Sequence, residues 1–218
     1  QLNVSKIIIK EGITYIGNYA FCGSQSLTSV SFPSTLTVIG GSAFNGCSSL
    51  RTVTLPKSLK TIGDCAFYGC SSLTSVTFPN SLTSIGECAF MDCSSLRSVM
   101  LPKSLKSMGM DAFSWSGLTS VTLPNSLTLI PGYAFRGCKS LTSITLPSSV
   151  AIIEDNAFSG CDNLRVINVL RKVPPQCTWR AFCWYTAAEY RRCRLNVPAG
   201  SEVSYRNHPA WGMFYKAK

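Results

Sequence analysis

The chain has 218 residues, of which 45% are hydrophobic and only 14% charged, with a formal net charge of +10. That balance excludes intrinsic disorder, and no run approaches the roughly eighteen uninterrupted apolar residues of a membrane-spanning helix. Sixteen Gly and eleven Pro are spread evenly, so no stretch reads as a flexible linker.

An Ala-Phe dipeptide recurs with its aromatic at Phe21, Phe44, Phe67, Phe90, Phe113, Phe135, Phe158 and Phe182, in steps of 23, 23, 23, 23, 22, 23 and 24 residues. Proline keeps the same beat independently at Pro33, Pro56, Pro79, Pro102, Pro124 and Pro147. At the start, Val4, Ile7 and Ile9 stand where the strand residues of a first unit belong, with no polar capping segment before them. An uncapped rung would expose its apolar column, so further repeats, or a cleaved signal peptide, are expected upstream of Gln1. In a typical unit, Val76 and Phe78 alternate with Ser75 and Thr77, the period-two pattern of a half-buried strand, until Pro79 removes the ladder donor. Leu82 and Ile85 make a second short apolar piece that Gly86 breaks, and the following Ala89-Phe90 lies in a tight turn.

Each unit therefore predicts a strand, a turn, a short extended piece and a second turn. Stacked in parallel at about 4.8 Å, eight such units make a repeat solenoid roughly 40 Å long, cored by columns of Leu, Val, Ile and Phe. Between Phe113 and Leu118 the unit is one residue short, Met108 replaces the usual Ile, and Trp115-Ser116 fills the slot that Cys occupies elsewhere. Trp115 either stands exposed on the turn or, as a bulky aromatic offsetting a shortened loop, plugs the gap; the plug is the expectation.

After the last dipeptide, Thr186 to Arg194 has helical composition, and Ser201 to Tyr205 reads as a second short helix before Pro209. Trp179, Trp184, Tyr190, Trp211 and Phe214 supply bulk to cover the last rung, as a packed cap or as the wall of a ligand pocket. The division is a solenoid over residues 1–182 and a cap over residues 183–218, packed together as one cooperative domain.

The spacing Leu-x-x-Val-x-Leu-Pro, then Leu-x-x-Ile-Gly-x-x-Ala-Phe-x-x-Cys, carried over about residues 4–182, resembles the BspA-like class of leucine-rich repeats. That class occurs on surface and secreted proteins of host-associated bacteria and of some protozoan parasites. The tail, Val173-Pro174-Pro175, then Leu195-Asn196-Val197-Pro198-Ala199-Gly200 with Tyr205, Trp211 and Phe214, is similar to the cap that closes such arrays in Bacteroidetes proteins. The resemblance implies a curved leucine-rich-repeat array serving as an extracellular or cell-surface binding module, and not an enzyme.

The eleven cysteines sort by repeat position. Cys47, Cys70, Cys93, Cys138 and Cys161 all fall three residues after the repeat phenylalanine and form one column. A reduced packing column suits that slot, although like positions about 5 Å apart also permit disulfides. Cys65 and Cys88 form a second, more exposed column, while Cys22, Cys177, Cys183 and Cys193 lie outside both; in a secreted protein a pair among Cys177, Cys183 and Cys193 is the expected bridge. No metal site and no cofactor are expected, because close cysteines are separated by gaps of four or five residues and the sole histidine is His208. One histidine also leaves no nucleophile, base and orienter set, and Asp64, Glu87, Asp92, Asp111, Glu154 and Asp155 fall on repeat turns where solvated residues belong.

The outward strand positions form two parallel rows: Ser29 and Ser31, Thr52 and Thr54, Ser75 and Thr77, Ser98 and Met100, Ser120 and Thr122, Ser143 and Thr145. Val166 and Asn168 continue them. The resemblance places this sheet on the concave side, where it would bind an extracellular protein or a glycan; the bland alternative is a solvated pleat that resists aggregation. Residues 165–218 hold ten Lys or Arg against two acids, whereas residues 1–164 hold ten against eight. Arg171, Lys172, Arg180, Arg191, Arg192 and Arg194 are therefore a candidate basic patch for a sulfated glycan or another polyanion, or simply a soluble charged cap. Specific nucleic-acid recognition is not expected. The readings carried forward are macromolecular binding through the strand face, polyanion binding through the cap, and a structural spacer without a ligand of its own.

Overall fold

The computed structural model describes residues 4–182 and 187–216, and the side chains of all of these except 187–189. Each unit contributes a long strand and a two-residue strand. The pairs are β1 (Lys6–Ile8) and β2 (Tyr15–Ile16), β3 (Ser29–Ser31) and β4 (Val38–Ile39), β5 (Thr52–Thr54) and β6 (Thr61–Ile62), and β7 (Ser75–Thr77) and β8 (Ser84–Ile85). They continue as β9 (Ser98–Met100) and β10 (Ser107–Met108), β11 (Ser120–Thr122) and β12 (Leu129–Ile130), β13 (Ser143–Leu146) and β14 (Ile152–Ile153), ending with β15 (Val166–Val169). All pairings are parallel between equivalent residues of successive units, giving a solenoid of about seven turns.

Three sets of hydrogen bonds run along the array, and at least two of them tie each pair of neighbouring coils up to β15. Long strands pair β1 with β3, β5 through β11 in sequence, and β13 with β15. On the opposite side of the coil the short strands run β2-β4-β6-β8-β10. At the turn, each repeat phenylalanine donates its amide to the alanine carbonyl of the next unit, as from Phe67 to Ala89 at 2.8 Å and from Phe113 to Ala134 at 2.9 Å. The phenylalanines consequently stack as a column, fully buried from Phe44 to Phe158, with ring centroids 5.2 Å apart for Phe67 and Phe90 and 5.9 Å for Phe113 and Phe135. The tight turn requires a left-handed residue just before each alanine, a place taken by Ser42 (φ 55), Cys65 (φ 54) and Cys88 (φ 51) among others.

The short-strand ladder breaks between β10 and β12: the Thr128 and Leu129 amides make no bond to the Lys106 carbonyl of the kind that Lys106 and Ser107 make to Thr83, and the next donor is missing as well. Gly63, Gly86 and Gly109 each donate an amide to the isoleucine carbonyl one coil back, at 2.8 to 2.9 Å, and Glu154 does the same at 3.0 Å. Pro131 occupies the same position and has no N–H to give. The ladder resumes only as β12 paired with β14, followed by an isolated bridge from Ile152 to Gln176.

The missing residue of the shortened unit is absorbed separately, in the turn after Phe113. Ser116 takes the cysteine slot, buried, with its hydroxyl 3.3 Å from the Cys138 sulfur. Trp115 is 40% exposed and lies over Gly137, with Arg136 and Lys139 5.7 and 5.9 Å from its ring. It covers the turn from outside instead of filling the gap, which corrects the expected plug; buried Ser116 fills the slot.

The eighth Ala-Phe, Ala181-Phe182, falls in a 3-10 turn (Trp179–Phe182) and ends the column. Phe182 meets Trp211 and Phe214 edge-on at 5.3 and 5.2 Å, and Tyr190 meets Phe214 at 4.9 Å. The Trp211 indole donates to the Pro175 carbonyl at 3.0 Å and the Tyr205 hydroxyl to the Arg171 carbonyl at 2.7 Å, so this aromatic cluster is packed cap. Trp179 takes no part in that cover, standing 55% exposed against Arg180, and Trp184 lies outside the described residues. Helix α1 (Ala187–Arg192) falls within the first helical stretch, α2 (Glu202–Asn207) overlaps the second and runs two residues beyond Tyr205, and α3 (Met213–Lys216) follows. Between the first two, β16 (Arg194–Asn196) adds one more parallel strand to β15, a strand the sequence did not announce.

Candidate functional site

Along the long strands the central residue points inward: Val53, Val76, Val99, Val121, Ile144 and Ile167 are all buried. The flanking residues of each strand must then face solvent on the same side. Register makes them rows, because Thr52 lies opposite Ser75 and Thr54 opposite Thr77, Ser120 opposite Ser98 and Thr122 opposite Met100. Of the twelve positions expected on this face, Ser29 is half-buried and Ser31, Thr52, Thr54, Ser75, Thr77, Ser98, Met100, Ser120, Thr122, Ser143 and Thr145 are exposed. Met100, 73% exposed, is the one apolar interruption among those twelve.

The rows do not stop at the repeats. Through β15 and β16, Val166 and then Arg194 extend the first row, and Asn168 and then Asn196 extend the second. The two amides form a chain with the last hydroxyl: Asn168 donates to Thr145 Oγ1 at 3.2 Å and Asn196 donates to Asn168 Oδ1 at 2.7 Å. A groove of about 460 Å³ opens here, bounded by Thr145, Asn168, Leu170, Asn196 and Pro198. Beside Met100, a second groove of about 570 Å³ has an apolar floor of Phe78, Leu101 and Leu123 and a polar lip of Asn80, Lys103, Thr122 and Asn125. A third, also about 570 Å³, lies on the short-strand side against Met110, Tyr133, Ile152 and Cys177.

The six basic candidates are distributed over different elements. Arg194 ends the first row on β16, while Arg191 and Arg192 are exposed at the end of α1. Lys172 is exposed, but Arg171 is half-buried and its guanidinium donates to the Ser148 carbonyl at 3.1 Å. Arg180 lies on the short-strand side, 3.9 Å from an Asp155 carboxylate oxygen and over the Trp179 ring.

The thiols of Cys47, Cys70, Cys93, Cys138 and Cys161 are buried and free, and each donates to a phenylalanine carbonyl of the preceding coil at 3.1 to 3.3 Å. Burial raises them all, Cys47 and Cys138 to about 11. They act as packing groups with a weak donor, the reduced reading of that column. Cys177 and Cys193 are free and also pushed up to about 12 by burial, and Cys183 lies outside the described residues. His208 accepts the amides of Ala210 and Trp211 at its Nδ1, at 3.2 and 3.4 Å, and burial lowers its pKa, which fits a structural acceptor in the cap. Among the described residues no group of three His, Cys, Asp or Glu is placed to hold a metal, and no helix is long and apolar enough to cross a membrane.

No protein of curated function matches the chain. Among solved structures, a leucine-rich repeat protein of T. pallidum is 34% identical with a TM-score of 0.69, over 74% of this chain and 78% of that one. Another from Bacteroides ovatus is 28% identical with a TM-score of 0.71, over 91% of this chain and 61% of that one, so the chain spans under two thirds of its length. A leucine-rich cell surface protein from Faecalibacterium prausnitzii, at 24% identity and a TM-score of 0.55, shares the fold, over 95% of this chain and 63% of that one. These neighbours carry the architecture of a repeat-based interaction module, and nothing among them points to catalysis. The model of the BspA-type leucine-rich repeat region matches residues 1–117 and 60–177 in six copies, the same coils that the hydrogen-bond ladders define, and the chain belongs to that family.

Proposed function

We propose that the long-strand face binds an extracellular protein or a glycan and that the protein works at, or outside, a cell surface. The observation that carries this reading is the pair of in-register rows that run from the repeats onto the cap through Asn168 and Asn196. Hydroxyl and amide groups spaced by one strand suit many weak polar contacts, and a backbone already held by three ladders spares the entropy of ordering loops on binding. Met100 and the groove beside it add an apolar foothold. The surface location rests on the family and on the neighbour named as a cell surface protein.

A second reading, polyanion binding through the cap, draws support from charge. Arg191, Arg192 and Arg194 are exposed in a chain of net charge +10, and the one ion pair among the described residues is that of Arg180 with Asp155. Binding of the chain to arrayed matrix proteins, mucins and sulfated glycans at low and high salt separates the two. Salt-resistant binding lost in a Thr77→Glu/Thr122→Glu variant of unchanged melting temperature supports the strand face. Binding confined to anionic ligands, lost at high salt and in an Arg191→Ala/Arg192→Ala/Arg194→Ala variant, moves the function to the cap. A blank array favours a structural spacer.

A further inference from the structure

Cys65 and Cys88 stand apart from the buried thiol column in their exposure and in their bonding. They hold the same repeat position in adjacent coils, just before the alanine of Ala66 and Ala89, and both are half-buried, so a small reagent reaches them. Their backbones share one left-handed conformation (φ 54 and 51), so their Cα–Cβ bonds leave successive coils in the same direction. The Cys65 amide donates to the Glu87 carbonyl at 2.7 Å and thereby fixes the register of the two coils at this point. Neighbouring chains in such a ladder lie about 4.8 Å apart, within the Cα separation of about 4.4–6.8 Å that a disulfide accepts, and closure must draw the parallel Cβ atoms a few tenths of an ångström nearer, into the range of about 3.5–4.5 Å. Unlike the thiols of Cys47, Cys70 and Cys93, neither is committed to a carbonyl acceptor among the described residues, and each lies close enough to influence the ionisation of the other. The equivalent positions in the flanking coils are Ser42 and Asp111, so no third thiol in this column competes.

We infer that Cys65 and Cys88 are an oxidisable dithiol, a modification site at which a small-molecule disulfide closes a Cys65–Cys88 bridge between adjacent coils. The thiolate of one cysteine attacks the reagent R–S–S–R, whose sulfur–sulfur bond breaks, and R–S⁻ departs and takes up a proton. The second thiol loses its proton and attacks the protein sulfur of this mixed disulfide. The bond between the two cysteines forms as a second R–S⁻ leaves and is protonated. Two protein thiols are oxidised and one reagent disulfide is reduced to two thiols. Burial raises both thiols, Cys88 to about 11, with Asp64, Glu87 and Asp111 adding to the effect. Closure is therefore slow at neutral pH, and because high-pKa thiols are poor leaving groups the bridge resists reduction once made.

The test treats the full chain with 2-hydroxyethyl disulfide at about pH 8.5, near the ordinary thiol range, followed by alkylation, intact mass and peptide mapping. The expected product has lost two hydrogens, joins the peptides of Cys65 and Cys88, and melts about 5 °C or more above the reduced protein, reverting with dithiothreitol. Cys65→Ser and Cys88→Ser each abolish the bridge and leave a stable mixed adduct on the remaining cysteine; serine is native at this position in Ser42, with the same backbone, so both variants retain the fold. The inference is overturned if Cys65 and Cys88 remain alkylatable while exposed Cys22 forms an adduct, or if either maps to a different cysteine or to a second chain.

Discussion

The phenylalanine column sets how much each coil depends on its neighbours, and truncating it at two heights measures that dependence. Phe90 is fully buried and touches three rings: Phe67 at 5.2 Å and Phe113 at 5.4 Å as stacked partners, and Phe78 edge-on at 5.5 Å. Phe21 is half-buried and has one ring partner among the described residues, Phe44 at 5.2 Å. Burial of a phenylalanine removes about 150–250 Å², or about 4–6 kcal/mol at 25 cal/mol per Å², an upper bound because the unfolded chain already hides part of that area. Phe90→Ala should therefore cost about 4 kcal/mol, within the range of about 3–5 seen for such truncations. Phe21→Ala, with half the burial and a third of the ring contacts, should cost about 1–2 kcal/mol. In a chain of this length the corresponding falls in melting temperature are about 8–16 °C and about 2–8 °C. Urea unfolding followed by circular dichroism reads both the midpoint and the slope. Because coils contact only their neighbours, the central substitution should also reduce the slope as the two halves uncouple. Equal losses for the two variants would refute the column as the source of inter-coil coupling.

Three other outcomes follow from single positions. Ser81 donates to the Leu59 carbonyl at 2.6 Å, whereas the hydroxyl of Ser126, its counterpart across the broken ladder, is buried without a partner. Ser81→Ala should lose about 1 kcal/mol and Ser126→Ala nothing, or gain stability, in the same urea assay; equal effects would contradict the assignment. Burial holds the column thiols above their ordinary value of 9.0, so the unfolded chain releases those protons first as pH rises. Their contribution is complete below about pH 9 and declines progressively above it, and a flat urea midpoint between about pH 8 and 11 would exclude this. Gly137 has φ +67 and its missing Cβ would strike the Trp115 ring, whereas a Cβ on Gly69, also at φ +67, meets the Gly46 backbone in ordinary contact at 3.8 and 3.9 Å. Both alanine variants bear left-handed strain of about 1–2 kcal/mol, and Gly137→Ala should cost measurably more. Adding Trp115→Ala to Gly137→Ala should recover the excess, and its failure to do so would show that the ring yields freely.

The repeat was legible because two residue types with different jobs keep one period: alanine and phenylalanine mark the packed turn, and proline marks the strand end. The same period carried the face, since equal spacing in sequence becomes register in a parallel ladder and fixes Thr54 opposite Thr77 without further information. Features without a repeated counterpart were not legible. Arg194–Asn196 becomes a strand only because β15 offers an unpaired edge at the end of the array, and three residues carry no periodicity of their own. The shortened unit was visible, but the role of Trp115 depends on the bare backbone of Gly137 one coil away. Pro131 lies seven residues after Pro124 and outside the proline beat, and its effect becomes apparent only when the donors Gly63, Gly86 and Gly109 are aligned with it.

These two departures from the repeat, the missing residue and Pro131, fall on different sides of the coil, and beside them β9 and β11 still pair, the long-strand ladder lapsing one coil later between β11 and β13. The missing residue is taken up between Phe113 and Leu118, where Ser116 drops into the cysteine slot and Trp115 covers the turn. Pro131 removes one donor from the short-strand ladder. The Phe113 amide still reaches Ala134 at 2.9 Å, so the turn ladder carries the two halves past the break. Ser120 consequently remains opposite Ser98, and Thr122 opposite Met100. A solenoid held on three sides tolerates an irregularity on one of them, and here the tolerance leaves the β9–β11 step of the regular rows in register. If that face is the recognition surface, restoring the donor by Pro131→Gly should alter stability and leave its binding unchanged; a change in affinity without a change in melting temperature would place the recognition surface on the short-strand side instead.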